Sequence, residues 1–437
     1  MFYENIRQFQ ECPEERWPKS AYYLAANTLP EGRYVEIPVT DDNYLLLGTT
    51  GYGKTTMTCA ITDECLKHSE DTLAVFLETK RDFRRYIRPR DLVVSVSEEI
   101  GNYRFFKWNM VAECRKSKEP EFILNAITRH LFADLKEDKR NLFFSEGAQN
   151  IFKGFIRTIL YCYANNPGNK SVIDGMKHMS YQQLIEHLLK YKPNASIVRD
   201  YFGYDAAHPE RYEMPKRTGD LMAFLTGVLE KFSGTFYSED GTDTIYDFLH
   251  SKDGRLFFVY DYAKRESSNV FFRLFLQHII EERLGQNADI SKKLLLVLDE
   301  APVLEADIGL MQAATLGRGC NMQLIVTSQS TEKLYCIAPE INGEHVTRAS
   351  FAGFSNLITF HPGDKESIEF TQKLFGTVRK QITVMGWSRY QPAATQYAVE
   401  PLVSEEDLVS LDVGECYIKI RAVPAVRVKI HKPFRGF

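Results

Sequence analysis

Apolar residues along the chain follow two periodicities, and the change from one to the other divides the sequence. Short, nearly unbroken runs occur at Tyr44-Leu-Leu-Leu47, Thr72-Leu-Ala-Val-Phe-Leu77 and Leu92-Val-Val-Ser-Val96. They return at Leu256-Phe-Phe-Val-Tyr260, Leu294-Leu-Leu-Val-Leu298, Leu324-Ile-Val-Thr327 and Asn356-Leu-Ile-Thr-Phe360. Runs this short and apolar predict strands buried on both faces. The segments Thr56–Leu66 and Val270–Leu284 carry helical patterns, so the fold class is α/β, a parallel and doubly wound sheet whose ligands sit beyond the carboxyl ends of its strands. From about Lys118 to Phe232 strand-like runs disappear. Ala148, Ile151, Phe152, Phe155, Ile156, Ile159 and Leu160 recur there at helical spacing, which predicts an inserted all-α block. The tail alternates at Cys416–Ile420 and Val426–Ile430, as suits a partly exposed edge hairpin. The organisation expected is a lead segment (1–40), a first sheet part (41–117), the helical insertion (118–233) and a second sheet part (234–437).

Composition narrows this picture without redirecting it. With 437 residues, 44% hydrophobic and 26% charged, the chain has the make-up of a globular protein. Its net charge of −4 means that a nucleic-acid partner would be held by a local basic surface and not by the overall field. Eight cysteines, at 12, 59, 65, 114, 162, 320, 336 and 416, form no C-x-x-C pair and no metal-ligand spacing with histidine, so neither a zinc site nor a disulfide framework is expected. The N-terminus has no basic region followed by an apolar one, and no uncharged apolar run approaches a membrane span. A cytoplasmic protein is expected, with any membrane attachment made through a partner.

The chemistry begins where the first apolar run ends. Gly48-Thr-Thr-Gly-Tyr-Gly-Lys-Thr55 fits the P-loop pattern G-x-x-x-x-G-K-[ST], with a strand before it and a helix after it. Glycines allow successive backbone N–H groups to turn onto phosphate oxygens, Lys54 adds a charge for the β and γ phosphates, and Thr55 supplies a hydroxyl for Mg²⁺. Gly48, Thr49, Thr50, Gly51, Tyr52, Gly53, Lys54, Thr55 and Thr56 are therefore the expected ATP-binding set. Asp299 follows the most apolar strand of the chain, where a carboxylate can hold the Mg²⁺ shell, and Glu300 beside it can take a proton from the attacking water. Arg318 lies 18 residues beyond Glu300 on the glycine turn Leu316-Gly-Arg-Gly-Cys320, suited to an arginine finger that reaches a neighbouring subunit, or to a plain surface turn. Gln329, 11 residues further at the end of the next strand, is placed to sense the γ-phosphate, or to serve as a loop amide capping a helix.

With these residues in order, the chain resembles the type IV secretion coupling proteins of the TraG/TraD class, within the FtsK/HerA group of ring-forming motors. The likeness extends from about residue 35 to the C-terminus. Besides the P-loop it takes in Glu78-x-Lys80, Phe106-Lys-Trp-Asn109, Phe144-Ser-Glu-Gly-Ala-Gln-Asn-Ile151, Asp299-Glu-Ala-Pro302, Gly317-Arg-Gly319 and Ser328-Gln-Ser330. Leu402-Val-Ser-Glu-Glu-Asp-Leu408, Gly414-Glu415 and Val423-Pro424 close it. The resemblance implies a RecA-like P-loop NTPase domain, an all-α domain at one mouth of a ring of six, and ATP sites between neighbours. It implies that Lys54, Glu300, Gln329 and Arg318 are catalytic, with Arg318 acting in trans, and that Thr55 and Asp299 hold the metal. Relaxase or another secretion substrate, DNA, and a membrane-associated secretion partner are the implied partners. Family members usually begin with two membrane-spanning helices, whereas the lead here holds no such run, so direct anchoring is not expected.

Two basic runs could meet a nucleic-acid backbone, Lys80-Arg-Asp-Phe-Arg-Arg-Tyr-Ile-Arg-Pro-Arg90 and Lys136-Glu-Asp-Lys-Arg140. A solvated amphipathic helix or a subunit contact accounts for the first equally well. Translocation in conjugative transfer, a HerA-like role in DNA processing or defence, and a nucleotide-dependent recruitment platform all stay open at this point.

Overall fold

Two strands arise in the stretch expected to be a lead: β1 (Tyr22–Thr28) and β2 (Tyr34–Val39), antiparallel with Ala26 opposite Val35. In this computed structural model the described residues are 22–29, 32–67, 71–97, 101–133, 142–205, 208, 214–335, 337, 351–384, 394–421 and 425–430. The chain divides into one unit of Met1–Arg85 with Gln286–Phe437 and another of Tyr86–Gly285. The first unit continues with β3 (Tyr44–Leu47), helix α1 (Lys54–Lys67) and β4 (Thr72–Glu78). Every residue of β3 and β4 is buried, as expected of strands covered on both faces.

Within the second unit, β5 (Leu92–Val94) and β6 (Arg104–Phe105) pair in parallel, and a helical succession follows. It comprises α2 (Met110–Lys116), α3 (Pro120–Leu131), α4 (Leu142–Cys162), α5 (Asn169–His178) and α6 (Tyr181–Leu189). Next come α7 (Ala195–Phe202), α8 (Arg217–Leu229) and α9 (Ile245–His250). The boundaries have local causes. Asn109 caps α2 by accepting the Ala112 N–H, Pro120 occupies the first turn of α3, and a Ser180/Gln183 capping box opens α6. Strand β7 (Arg255–Val259) pairs in parallel with β5, and α10 (Arg265–Leu284) lays Phe271, Phe272 and Phe275 into an aromatic core with Trp108, Phe236 and Phe258. Trp108 meets Phe275 edge to face at 5.0 Å between ring centres.

One carboxylate ties this unit together. Glu113 of α2, 2% exposed, accepts the Trp108 indole N–H at 3.1 Å, the Ile245 and Tyr246 backbone N–H groups at 2.7 and 3.1 Å, and His278 Nε2 at 3.2 Å. Burial works against a charge on His278, but the hydrogen bond and charge of Glu113 outweigh it and raise the imidazole pKa above its usual value.

The first unit resumes with β8 (Lys293–Leu298), α11 (Leu310–Leu316), β9 (Met322–Ser328), α12 (Thr331–Tyr335), β10 (Asn356–Thr359) and α13 (Lys365–Phe375). A separate pair, β11 (Thr377–Val384) with β12 (Ala394–Pro401), precedes α14 (Glu405–Val409), β13 (Glu415–Ile420) and β14 (Val426–Ile430). Strand order in this unit is β2-β1-β14-β13-β10-β3-β9-β8-β4, parallel from β10 to β4 and antiparallel from β2 to β10. Leu294 to Leu298 are each 0% exposed, and such side chains contribute about 1.5–3 kcal/mol apiece on burial. The β13–β14 hairpin, expected at an edge, is interior. Strand β1 covers its outer side with Ala26 opposite Ile430, so the alternating tail pattern marks one less-buried face and not an open edge. Among the described residues no helix is long and apolar enough to cross a membrane.

Candidate active site

Parallel register brings the ends of five strands to one edge. Leu47 of β3 lies opposite Ser328 and Thr359, Leu298 opposite Val326, and Leu77 opposite Leu298, so the residues that follow these strands gather together. Gly48 to Gly53 leave β3 as the glycine loop, with Thr50 and Gly51 at its exposed tip, and α1 begins at Lys54. A Cβ on Gly48 would stand 2.8 Å from Phe360 Cβ, so only glycine lets the loop pass the end of β10. The Thr49 N–H donates to the His361 carbonyl at 2.8 Å, and the Tyr52 carbonyl accepts the Gly414 N–H at 3.0 Å. Tyr52 also stacks on the His361 ring at 4.6 Å. The loop is therefore held from both sides, with first-turn N–H groups at Lys54, Thr55 and Thr56 directed out of the helix start, where an anion is favoured.

Lys54 is 5% exposed, and its ammonium donates to the Gly48 carbonyl and, at 2.9 Å, to that of Thr49. Burial lowers its pKa to about 8, against the opposing attraction of Glu300 and Asp299. Asp299 is 2% exposed and is oriented by two hydroxyls, Thr327 Oγ1 on one oxygen at 2.9 Å and Thr79 Oγ1 on the other at 3.1 Å. Glu300 adopts a left-handed backbone, φ 54°, fixed by its N–H on Thr327 Oγ1 at 2.9 Å. Its Oε1 accepts the Gln329 N–H at 3.4 Å, while Oε2 is buried without a hydrogen-bond partner among the described residues. Burial raises the Glu300 pKa, and Lys54, Lys333 and Lys80 pull it back in part. Gln329 is half-buried, with its side-chain oxygen 3.5 Å from Lys333 Nζ.

Lys54, Asp299, Glu300 and Gln329 thus share one edge with the glycine loop, and Arg318 does not join them. It sits on the turn Gly317–Cys320 ahead of β9, whereas Gln329 follows that strand, so about 20 Å of sheet separates them. There Arg318 Nη1 pairs with Asp42 at 3.2 Å. Sequence reasoning missed Thr79, Thr327 and His361. The first two had a weak signal as hydroxyls at strand ends; His361 had none. The basic run at 80–90 is a turn with a short 3-10 segment and not an amphipathic helix. In the first unit Arg84 and Arg85 pair with Glu78 and Asp63, and in the second Arg88 pairs with Asp91 and Asp253 and Arg90 with Asp253. The run at 136–140 and Val423-Pro424 lie outside the described residues.

A family model described as the type IV secretion-system coupling protein DNA-binding domain matches residues 35–431. Among solved structures the chain is similar to the bacterial conjugative coupling protein TrwBdeltaN70 in its unbound monoclinic form, with a TM-score of 0.68 at 13% identity over 96% of this chain and 90% of that one. The plasmid coupling protein TrwB in complex with ADP and Mg²⁺ gives 0.65 at 13% identity over 96% and 91%. VirB4 of Thermoanaerobacter pseudethanolicus gives 0.56 at 14% identity over 96% and 98%. At these identities the likeness is one of fold, and that fold is the RecA-like P-loop fold. No curated protein matches the chain.

Proposed function

Because the chain belongs to the type IV secretion-system coupling protein DNA-binding domain family, we propose that it is an ATP-hydrolysing motor of that class, assembled as a ring of six that recruits and moves DNA or nucleoprotein. The observation that carries this reading is the meeting of Lys54, Asp299, Glu300 and Gln329 with the glycine loop at one sheet edge. The residues present suit a triphosphate with magnesium. The loop passes β10 where a Cβ would not fit, Thr55 and Asp299 offer the hard oxygen donors that ion takes, and one Glu300 oxygen has no hydrogen-bond partner among the described residues. TrwB has been solved with ADP and Mg²⁺ and with a non-hydrolysable ATP analogue, which supports the same ligands here.

Each residue then has a defined task. Lys54 and the first-turn N–H groups of α1 bind the phosphates, and Thr55 with Asp299 holds magnesium, which when bound screens charge on the phosphate oxygens. Thr79 and Thr327 fix the Asp299 carboxylate. Glu300 takes the proton of the attacking water, and Gln329, joined to Glu300 through its N–H, senses the γ-phosphate. Arg318 stands too far along the sheet to reach the nucleotide of its own subunit, which supports a role in the site of a neighbour. The chain works in the cytoplasm, brought to the membrane by a secretion partner.

Mixed assemblies test this division. Glu300→Gln and Arg318→Ala proteins are each expected to lose hydrolysis by about 10²-fold or more, and a mixture of the two to regain part of it. Some interfaces then join an intact Glu300 to an intact Arg318. Full hydrolysis by pure Arg318→Ala protein would sink the trans assignment.

A second expectation follows from the Lys54 pKa of about 8. Near pH 8 roughly half of the lysines lack the proton that a bound phosphate restores, so nucleotide binding takes up about half a proton, falling towards zero at pH 6.5. Affinity accordingly declines as pH rises through 8. Calorimetry in two buffers of different ionisation enthalpy measures the uptake, and equal heats in both at pH 8 contradict it.

A further inference from the structure

Arg318 is 73% exposed on its side chain, yet its guanidinium meets a buried carboxylate. The carboxylate it meets, Asp42, is 3% exposed and shared: one oxygen faces Arg318 Nη1 at 3.2 Å and the other accepts from Arg421 Nε. The backbone around Asp42 is held by side-chain amides from two strands. Gln323 of β9 donates to the Thr40 and Asp42 carbonyls at 2.9 and 3.0 Å, and Asn356 of β10 donates to Thr40 Oγ1 at 2.8 Å. Asn43, the next residue, donates to the Ala314 carbonyl at 2.8 Å and accepts the Leu324 N–H at 2.9 Å. Ala314 belongs to α11, the helix that leads into Arg318. One turn, residues 40–43, thus anchors both the helix that delivers the arginine and the carboxylate that its guanidinium touches.

From this arrangement we infer that Asp42 is the positioning residue of the Arg318 finger, holding its guanidinium at a fixed place on the amino-end face of the sheet for a neighbour's phosphate. The inference rests on the trans role proposed for Arg318. Charge supports it: two guanidiniums share one carboxylate, so the cluster keeps one net positive charge and the finger is oriented without being neutralised. A guanidinium has five N–H donors in a rigid fork, so one edge can lie on Asp42 while others stay directed outward. A long exposed side chain without such a partner would have to be ordered in each catalytic cycle, and misplacement by about 1 Å costs up to 10²-fold in rate.

The test compares Asp42→Asn, Arg318→Ala and the double variant in the full-length protein, by steady-state ATP hydrolysis and thermal melting. Asp42→Asn is expected to lower kcat about 10-fold with KM and Tm nearly unchanged, and to have no further effect in the Arg318→Ala background. An equal loss of kcat in both backgrounds, a rise in KM alone, or a rise in kcat overturns the positioning role while leaving the finger in place. Full activity of Arg318→Ala removes the finger itself, a failure distinct from the others. If Asp42→Asn does not fold, Arg421→Met serves instead: with one guanidinium gone, Asp42 cancels the Arg318 charge and kcat falls, and an unchanged kcat overturns the inference.

Discussion

Replacing Glu300 by glutamine is expected to slow ATP hydrolysis by about 10²- to 10⁴-fold while nucleotide binding persists. Glutamine preserves the size of the side chain, and its amide oxygen can still accept the Gln329 N–H that Oε1 accepts at 3.4 Å. The left-handed backbone at φ 54° stays anchored by the N–H on Thr327 Oγ1. Only the basic carboxylate is lost. Burial has raised the pKa of that carboxylate, which makes it a better proton acceptor than an exposed glutamate, and Lys54, Lys333 and Lys80 oppose part of the rise. Phosphate release together with binding of a fluorescent ATP analogue measures both halves. Hydrolysis above a third of the wild-type rate contradicts the assignment of Glu300 as the base.

Glu113→Ala is expected to destabilise the second unit by about 3–5 kcal/mol, a fall in Tm on the order of 10 °C. The change leaves four donors on Trp108, Ile245, Tyr246 and His278 without their shared acceptor. Glu113→Gln is milder, because an amide keeps one acceptor oxygen. The sign of the pH dependence follows from the raised His278 pKa: the stabilisation is fully present below the unfolded value near 6.5 and is lost as pH rises through the folded one. Thermal melting with hydrogen exchange across 104–116 and 245–250 reads the effect. A Tm within about 2 °C of wild type means that Glu113 carries little of the load.

Strand ends were legible because they are local. Tyr44–Leu47 and Leu294–Leu298 announce themselves as fully buried strands, and the loop and carboxylates follow directly in the chain. What was hidden depends on pairings far apart in sequence. Thr79 supports Asp299 across 220 positions and Gln323 holds Thr40 across 283, and no periodicity encodes either contact. Glu113 reads as an ordinary helix-surface glutamate until α9 and α10 close over it. The tail hairpin was misplaced for the same reason: its alternation reports which face is less buried, whereas its place in the sheet is set by β1, from the other end of the chain.

The separation of Arg318 from the glycine loop by one strand length restricts how copies of this chain can associate productively. If each arginine serves the next subunit's phosphates, the amino-end face of one copy must meet the carboxyl-end face of another, a heterologous contact that a two-fold dimer cannot make. Contacts of this polarity complete every site only by rotational closure. An open arc of n subunits would contain n − 1 complete sites, with one loop at its end lacking a finger and one finger lacking a loop.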